Sequence, residues 1–376
     1  MSDFRQDFQD FSPTVYLDCA YQGPFPRATE ERVLQAVQLK CHPHRLDSSE
    51  YFALPNRVRN RFATLIGVEP AEIALTNSAT QGIGIVASGL GLKAGDEVVI
   101  TSGNFPSNLF TWLHLRRRGV HVHVVKPAGE HVVPDDVLPV LNRRTRVLAL
   151  DWVGYTDGWR IDLAAFGDLA RRHEALLVVD ATQGVGAVPL RAHDIPVDVL
   201  AVAAYKWLLG PYGTGFAYLR LDIQDRLDVP VVNWLSVEGS EDFDALPAEG
   251  FSLPHAAKVF DVPETSNFLN LSALDASLEY VESVGVEAVN EHCMRLLDRL
   301  REGLRRGEYR VFDAAEPEHR STILGFQAES ADATTALHRK LRASLVAVSL
   351  RHGVIRVSPY LYNTEADVDR LLEVIR

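Results

Sequence analysis

The chain has few of the residues that build disulfide or metal frameworks. Of its 376 residues only three are cysteines, Cys19, Cys41 and Cys293. No two of them stand at CxxC spacing, and an odd, sparse set argues against a disulfide scaffold or a structural zinc site. No metal site is expected. There is no apolar run of roughly 18 residues, the length that would suggest a membrane span. Met1 to Asp10 is polar and lacks the basic-then-apolar pattern of a secretory leader, so a cytoplasmic protein without membrane contact is expected. Positive charge is in short supply, with 38 Lys and Arg against 50 Asp and Glu and a net charge of -12. The basic clusters Arg116-Arg117-Arg118 and Arg143-Arg144 are short and flanked by apolar residues, so no nucleic-acid partner is expected. Several catalytic signatures are also missing. The glycines at 82, 84 and 89 do not make GxGxxG, which counts against a nicotinamide dehydrogenase. The chain has no Walker A, GxSxG or HExxH motif.

What remains is an ordinary globular composition, 47% hydrophobic and 23% charged, and a length that suggests two domains or one large domain with an appendage. Helical spacing covers Ala28 to Leu39 and Tyr51 to Ile66, with Gly67 as a helix stop. From Ile73 onward short apolar strands alternate with amphipathic helices. The strands are Glu97 to Thr101, Val120 to Val125, Arg146 to Leu150 and Leu176 to Asp180. Near-continuous apolar strands between helices indicate a largely parallel sheet covered on both faces. Two more strands lie between Asp198 and Leu219. Residues 220 to 265 are irregular. Beyond them Leu271, Leu274, Leu278 and Val281 share one helix face. Shorter strands near 309–312, 322–326 and 353–357, with helices near 332–341 and 365–375, suggest a smaller α+β unit.

Three stretches carry chemistry. Asn77-Ser78-Ala79-Thr80 supplies capping residues between a strand and a helix, so it fits either an ordinary N-cap or a phosphate site at a helix start. Asp180 ends a parallel strand, where ligands of such sheets bind, and fits either a turn aspartate or a ligand partner. Lys206 is the one lysine in the apolar, glycine-rich run Val197 to Phe216. It fits either a snorkelling lysine or a buried one pushed toward its neutral, nucleophilic form. Together the three are the protein groups that pyridoxal phosphate needs: a Schiff-base lysine, an acidic partner for the ring nitrogen and a phosphate cradle.

With that constellation in place, the sequence resembles the class V aminotransferase family of fold-type I pyridoxal-phosphate enzymes, which includes cysteine desulfurases, kynureninases and isopenicillin-N-epimerase-like proteins. The matched segments run in order from Tyr16-Leu17-Asp18 through 76–83, 104–108, 154–162, 179–184 and 204–211 to 355–364. The resemblance implies an α/β fold with a large, mostly parallel seven-stranded sheet domain (residues 1–265) and a smaller α+β C-terminal domain (266–376). It implies that Lys206 forms the Schiff base and moves the Cα proton, that Asp180 pairs with the pyridinium and that Gln183 bonds the phenolic oxygen. Ser78, Ala79 and Thr80 would hold the phosphate, Phe105 would stack on the ring and Tyr205 would touch the phosphate. Arg356 would clamp the substrate carboxylate, with Trp152 and Tyr21 shaping the substrate pocket. Thr265 would cross to a neighbour's phosphate, making the active site that of a homodimer.

The expected substrate is a small α-amino acid or related amine, and the expected reaction is transamination or carbon–heteroatom lysis. Epimerisation, decarboxylating or oxidative chemistry of the same family, and a non-catalytic cofactor-binding scaffold, are the alternatives. Two departures from the family pattern stand out. Ala203 and Ala204 occupy positions where many relatives have Ser and His. The stretch from Ala328 to Arg356 lacks the loop cysteine of desulfurases, which sets the expectation against persulfide-forming desulfurase chemistry.

Overall fold

The computed structural model describes residues 4–242, 244, 246 and 249–376. The chain opens with β1 (Val15–Tyr16), α1 (Arg27–Cys41) and α2 (Glu50–Ile66). Helix α2 ends where Gly67 takes φ +68, the left-handed stop expected of a glycine just past a helix. The alternating region follows: β2 (Ile73–Thr76), α3 (Ala79–Gly89), β3 (Glu97–Thr101), α4 (Pro106–Leu113), β4 (His121–Val125), α5 (Pro134–Val137), β5 (Thr145–Asp151), α6 (Leu163–Arg172), β6 (Leu176–Asp180), β7 (Val199–Ala203), β8 (Gly215–Leu219) and α7 (Leu221–Gln224). The C-terminal part contains α8 (Phe268–Val284), α9 (Val286–Leu304), β9 (Arg310–Phe312), β10 (Leu324–Gln327), α10 (Ala331–Ala343), β11 (Val346–Ala347), β12 (Ser349–Arg351), β13 (Val354–Val357) and α11 (Glu365–Ile375).

Seven strands form one sheet in the order β2-β8-β7-β6-β5-β3-β4. The five from β7 to β4 are parallel, while β8 runs antiparallel to both β7 and β2. The expected mostly parallel α/β sheet is therefore present, with an antiparallel edge. Strands β3, β6, β7 and β8 are buried at every position, because both faces are covered by apolar clusters. That double burial is why these strands read as continuous apolar runs rather than as alternating ones.

The C-terminal part builds a second, antiparallel sheet, β12-β13-β10-β9. Its apolar cluster joins Leu296, Leu300, Phe326, Ile355 and Leu371, and it also takes Leu17 from the start of the chain. Strand β1 pairs with β11, so the N-terminal segment straps the two parts together. Helix α8 lies on α1 and α2, and its Leu271, Leu274, Leu278 and Val281 belong to the large-sheet core.

Candidate active site

The carboxyl ends of β5, β6 and β7 open onto one pocket. Its wall includes Ser78, Ala79, Thr80, Phe105, Asp151, Asp180, Gln183, Tyr205 and Lys206. Parallel strands align their carbonyl ends on one edge, so residues far apart in sequence meet there.

Lys206 sits in the turn between β7 and β8. The turn is closed by Ala204 N–H to the Thr214 carbonyl at 2.9 Å and Leu209 N–H to the Lys206 carbonyl at 3.1 Å. The N-terminal segment presses on it from outside: Gly23 N–H donates to the Tyr205 carbonyl at 2.9 Å. A Cβ on Gly23 would lie 2.1 Å from the Lys206 carbonyl oxygen, so only glycine permits this approach. Lys206 is 6% exposed. Its Nζ lies 5.4 Å from the centre of the Phe105 ring and 5.6 Å from that of Tyr205. Burial lowers its pKa to about 8, against the opposing pull of Asp180.

Asp180 closes β6. Its carboxylate accepts Thr182 N–H at 3.0 Å, and burial pushes its pKa up. Beside it in register stands Asp151, the last residue of β5. Asp151 accepts Phe105 N–H at 2.6 Å and the Asn108 amide at 3.0 Å. Burial and the neighbouring Asp180 raise its pKa to about 8. Asp151 thus fixes the start of α4 and with it the Phe105 ring, which meets Tyr155 edge-on at 5.2 Å. Sequence reasoning passed over Asp151 by ending that strand at Leu150. The signal that singled out Asp180, a carboxylate at a strand's carboxyl end, applies to it equally.

Ser78 is the N-cap of α3, and its hydroxyl accepts Gln81 N–H at 3.2 Å. Among the described residues the N–H groups of Ala79 and Thr80 have no protein acceptor, so they and the positive end of the helix face the pocket open-handed. The Thr80 hydroxyl donates to Ser107 at 2.8 Å. Gln183 lines the pocket while its amide is braced on both sides. Its oxygen accepts the Trp207 indole N–H at 2.9 Å, and its nitrogen donates to the Ala20 carbonyl at 3.0 Å.

The remaining expected residues lie elsewhere. Trp152 packs into the core. A Cβ on Gly184 would come within 2.2 Å of its ring, so the indole fills the space a side chain at 184 would need and does not wall the pocket. Tyr21 is 56% exposed, with the Arg351 guanidinium 5.8 Å from its ring centre. Thr265 is buried, and its hydroxyl donates to the Val262 carbonyl at 2.6 Å. Within one chain it is not part of the pocket wall. Arg356, 2% exposed, is already engaged: it pairs with Asp18 at 3.1 Å and donates to the Tyr155 carbonyl at 2.8 Å. Cys19 and Cys293 are buried, and Cys41 is exposed at the end of α1.

The donor set suits pyridoxal phosphate. A buried lysine, an acid across from it, an apolar ring wall and free N–H groups at a helix start match an aldehyde, a basic ring nitrogen, a flat aromatic ring and a phosphate in turn.

Known proteins point the same way. The family model Aminotransferase class-V matches residues 44–371. A probable cysteine desulfurase of Methanothermobacter thermautotrophicus is 27% identical, over 99% of this chain and 96% of that protein. Isopenicillin N epimerase of Streptomyces clavuligerus is 25% identical, over 96% of this chain and 94% of the epimerase. Among solved structures, a mutant of C-DES with glycine covalently linked to its PLP cofactor superposes with a TM-score of 0.88 at 21% identity, covering 98% of each chain. The apo cysteine desulfurase of Thermococcus onnurineus does so with a TM-score of 0.86 at 21% identity, over 99% of this chain and 96% of its own. Relatives bearing the desulfurase name give no support to the expectation against that chemistry. With the family model spanning most of the chain and the sheet, lysine turn and helix start all in place, this protein belongs to the aminotransferase class-V family of pyridoxal-phosphate enzymes.

Proposed function

We propose that the protein acts on a small α-amino acid or related amine, labilising a bond at Cα to transfer the amino group or expel a heteroatom substituent. The observation that carries this reading is the buried Lys206, its charge disfavoured, set across from Asp180 beside the open N–H groups of α3. Pyridoxal phosphate, when bound, supplies an aldehyde that condenses with amines and a ring that accepts electrons from Cα.

The chain's own residues make the site ready for that chemistry. With a pKa of about 8, roughly one Lys206 in ten is neutral at pH 7, against fewer than about one in a thousand for an ordinary lysine. The neutral amine is the form that attacks a carbonyl and that later accepts a proton. Asp180 holds negative charge where a ring nitrogen must keep its proton. The N–H groups of Ala79 and Thr80 and the dipole of α3 hold a phosphate dianion. Phe105, anchored through Asp151, closes one side of the ring space and keeps water from it. The names of the curated relatives, desulfurase and epimerase, support bond changes on an α-amino acid. Removal of sulfur from a cysteine-like substrate therefore stays within the reading. A homodimer belongs to the same reading, with Thr265 of each chain serving the neighbour's phosphate site.

The test is to load the protein with pyridoxal phosphate, look for the visible absorption of a lysine Schiff base and its loss on borohydride treatment, and then screen amino acids with mass analysis of products. A protein that takes up no cofactor at Lys206 ends the reading. A loaded protein inert toward every amino acid favours a non-catalytic scaffold.

A further inference from the structure

Besides Lys206, Asp180 and Asp151, three tyrosines line the pocket: Tyr155, Tyr205 and Tyr212. Tyr205 and Tyr212 pack on each other, with ring centres 4.7 Å apart. Among the described residues neither hydroxyl is hydrogen-bonded to a titratable side chain. Tyr155 differs. Its ring meets that of Phe105 edge-on, and its hydroxyl lies 2.7 Å from Nε2 of His352, an exposed residue.

His352 is an unusual residue for its place. Strands β12 and β13 pair Arg351 with Val354, so His352 and Gly353 form a two-residue turn between them. Both have positive φ, +48 and +78. Turns of this kind favour Asn, Asp or Gly at the first position. An imidazole there gives up favourable turn chemistry, and such local rules are broken chiefly where a side chain has a task. The turn carries that imidazole from the C-terminal sheet to a residue of the pocket wall.

The pair suits proton transfer from solvent into the pocket. Burial raises the pKa of Tyr155, and the charge of Asp151 adds to this, so the phenol keeps its proton at neutral pH. With the imidazole proton on Nε2, His352 donates to the phenolic oxygen and leaves the phenolic O–H free for a ligand. Asp151 and Asp180 are instead engaged by N–H groups of the chain.

We propose that Tyr155 is the acid that protonates a heteroatom leaving from the substrate's Cβ, with His352 as its link to solvent. This rests on the carbon–heteroatom branch of the proposed function. Lys206 takes the Cα proton. The electron pair released at Cα forms a Cα–Cβ double bond as the Cβ–heteroatom bond breaks. The pair from that bond leaves on the heteroatom, which takes the phenolic proton. The phenolate regains a proton from His352 Nε2, and the exposed imidazole regains one from water. A phenol is a stronger acid than water or an alcohol, so the gain is largest where the leaving atom is oxygen, which departs poorly as hydroxide or alkoxide. The substrate class is therefore an amino acid with an oxygen substituent on Cβ.

The test uses the pyridoxal-phosphate-loaded protein with serine and β-chloroalanine, and reads initial rates of pyruvate release. Both substrates give the same product, but chloride leaves without a proton and hydroxide needs one. Y155F should slow serine turnover by about a hundredfold or more, the scale of general acid catalysis, and leave β-chloroalanine turnover at the parent's rate. H352N, whose asparagine suits the turn, should keep the parent's melting temperature and lose rate with serine only. In both variants the visible Schiff-base band, and the serine concentration that half-saturates its change, should match the parent. If Y155F does not load the cofactor, H352N carries the test alone. A loss shared equally by the two substrates, or no loss with serine, overturns the proposal while the functional reading stands. So does a parent that acts on β-chloroalanine and not on serine, or a half-saturating concentration that moves with the rate and makes Tyr155 a binding residue. A parent that releases pyruvate from neither substrate ends the heteroatom branch of the functional reading and takes this proposal with it.

Discussion

Two clusters of buried charge, the pocket floor and the Asp18–Arg356 knot, have opposite character. At the pocket floor Lys206, Asp180 and Asp151 are desolvated together, and among the described residues the lysine has no carboxylate oxygen within ion-pair distance. In the knot, Asp18 meets Arg356 and Ser349, and the arginine is further tied to a backbone carbonyl. Burying a charge is costly unless the chain itself supplies the partner. The knot's partners come from the chain, and it joins the N-terminal segment to β12 and β13. At the floor the two carboxylates accept N–H groups of the chain, whereas the Lys206 ammonium has no carboxylate in ion-pair contact among the described residues. The comparison teaches how to tell a structural ion pair from a binding site when both are equally buried.

The sharpest break of that contrast is K206A, which should lower turnover by about a thousandfold while leaving the melting temperature near or above that of the parent, since a poorly solvated ammonium is removed. Steady-state rates and a melting curve check both halves. A large loss of stability would show that the lysine is structural after all. The knot should behave in reverse. R356M strands Asp18 and should cost about 3–5 kcal/mol in denaturant unfolding, and the double variant D18N/R356M should recover part of that loss. A double variant no better than R356M would mean that the pair is not the source of the stability.

A smaller effect probes the floor through its second acid. Asp151 favours the protonated lysine, as does Asp180. D151N should therefore lower the pH midpoint for Schiff-base formation with pyridoxal phosphate relative to the parent, as read from rates across pH. The sign follows from linkage. A lysine whose folded pKa is lowered from 10.5 to about 8 is neutral in that window while the unfolded chain still binds the proton, so its contribution to stability rises with pH there. A midpoint unmoved by D151N would remove Asp151 from the charge balance of the site. The smallest change concerns the cap. S78A should cost about 1 kcal/mol of stability and weaken phosphate retention, measurable as faster cofactor loss on dialysis.

Much of this organisation was legible in the sequence, for local reasons. Continuous apolar runs such as Leu176 to Val179 and helix faces such as Leu271, Leu274, Leu278 and Val281 follow from period and burial. Lys206, Asp180 and the Ser78 cap stood out because each is a polar residue at the edge of an apolar element. The pairings made far along the chain were not legible. Nothing local marks β1 as the partner of β11, or β8 as antiparallel between β2 and β7, since register between distant segments depends on what the rest of the fold leaves open. The same holds for individual roles. The close approach of Gly184 to the Trp152 ring and the register that sets Asp151 beside Asp180 exist only once the sheet is assembled.

The amino-acid sequence by itself determined the class of the protein: alternating elements that must form a parallel sheet, and a lysine, an acid and a helix cap whose chemistry converges on one cofactor. Only the tertiary structure decided which of the buried charges are satisfied. Arg356 and Arg351 are indistinguishable as residues on a strand pattern. One pairs with Asp18 across 338 positions of chain, and the other has no ion pair with an acid among the described residues. Burial and pairing are properties of three-dimensional proximity, and they turned Lys206, the lone cation in an apolar run, into an amine with a lowered pKa at the floor of a prepared pocket.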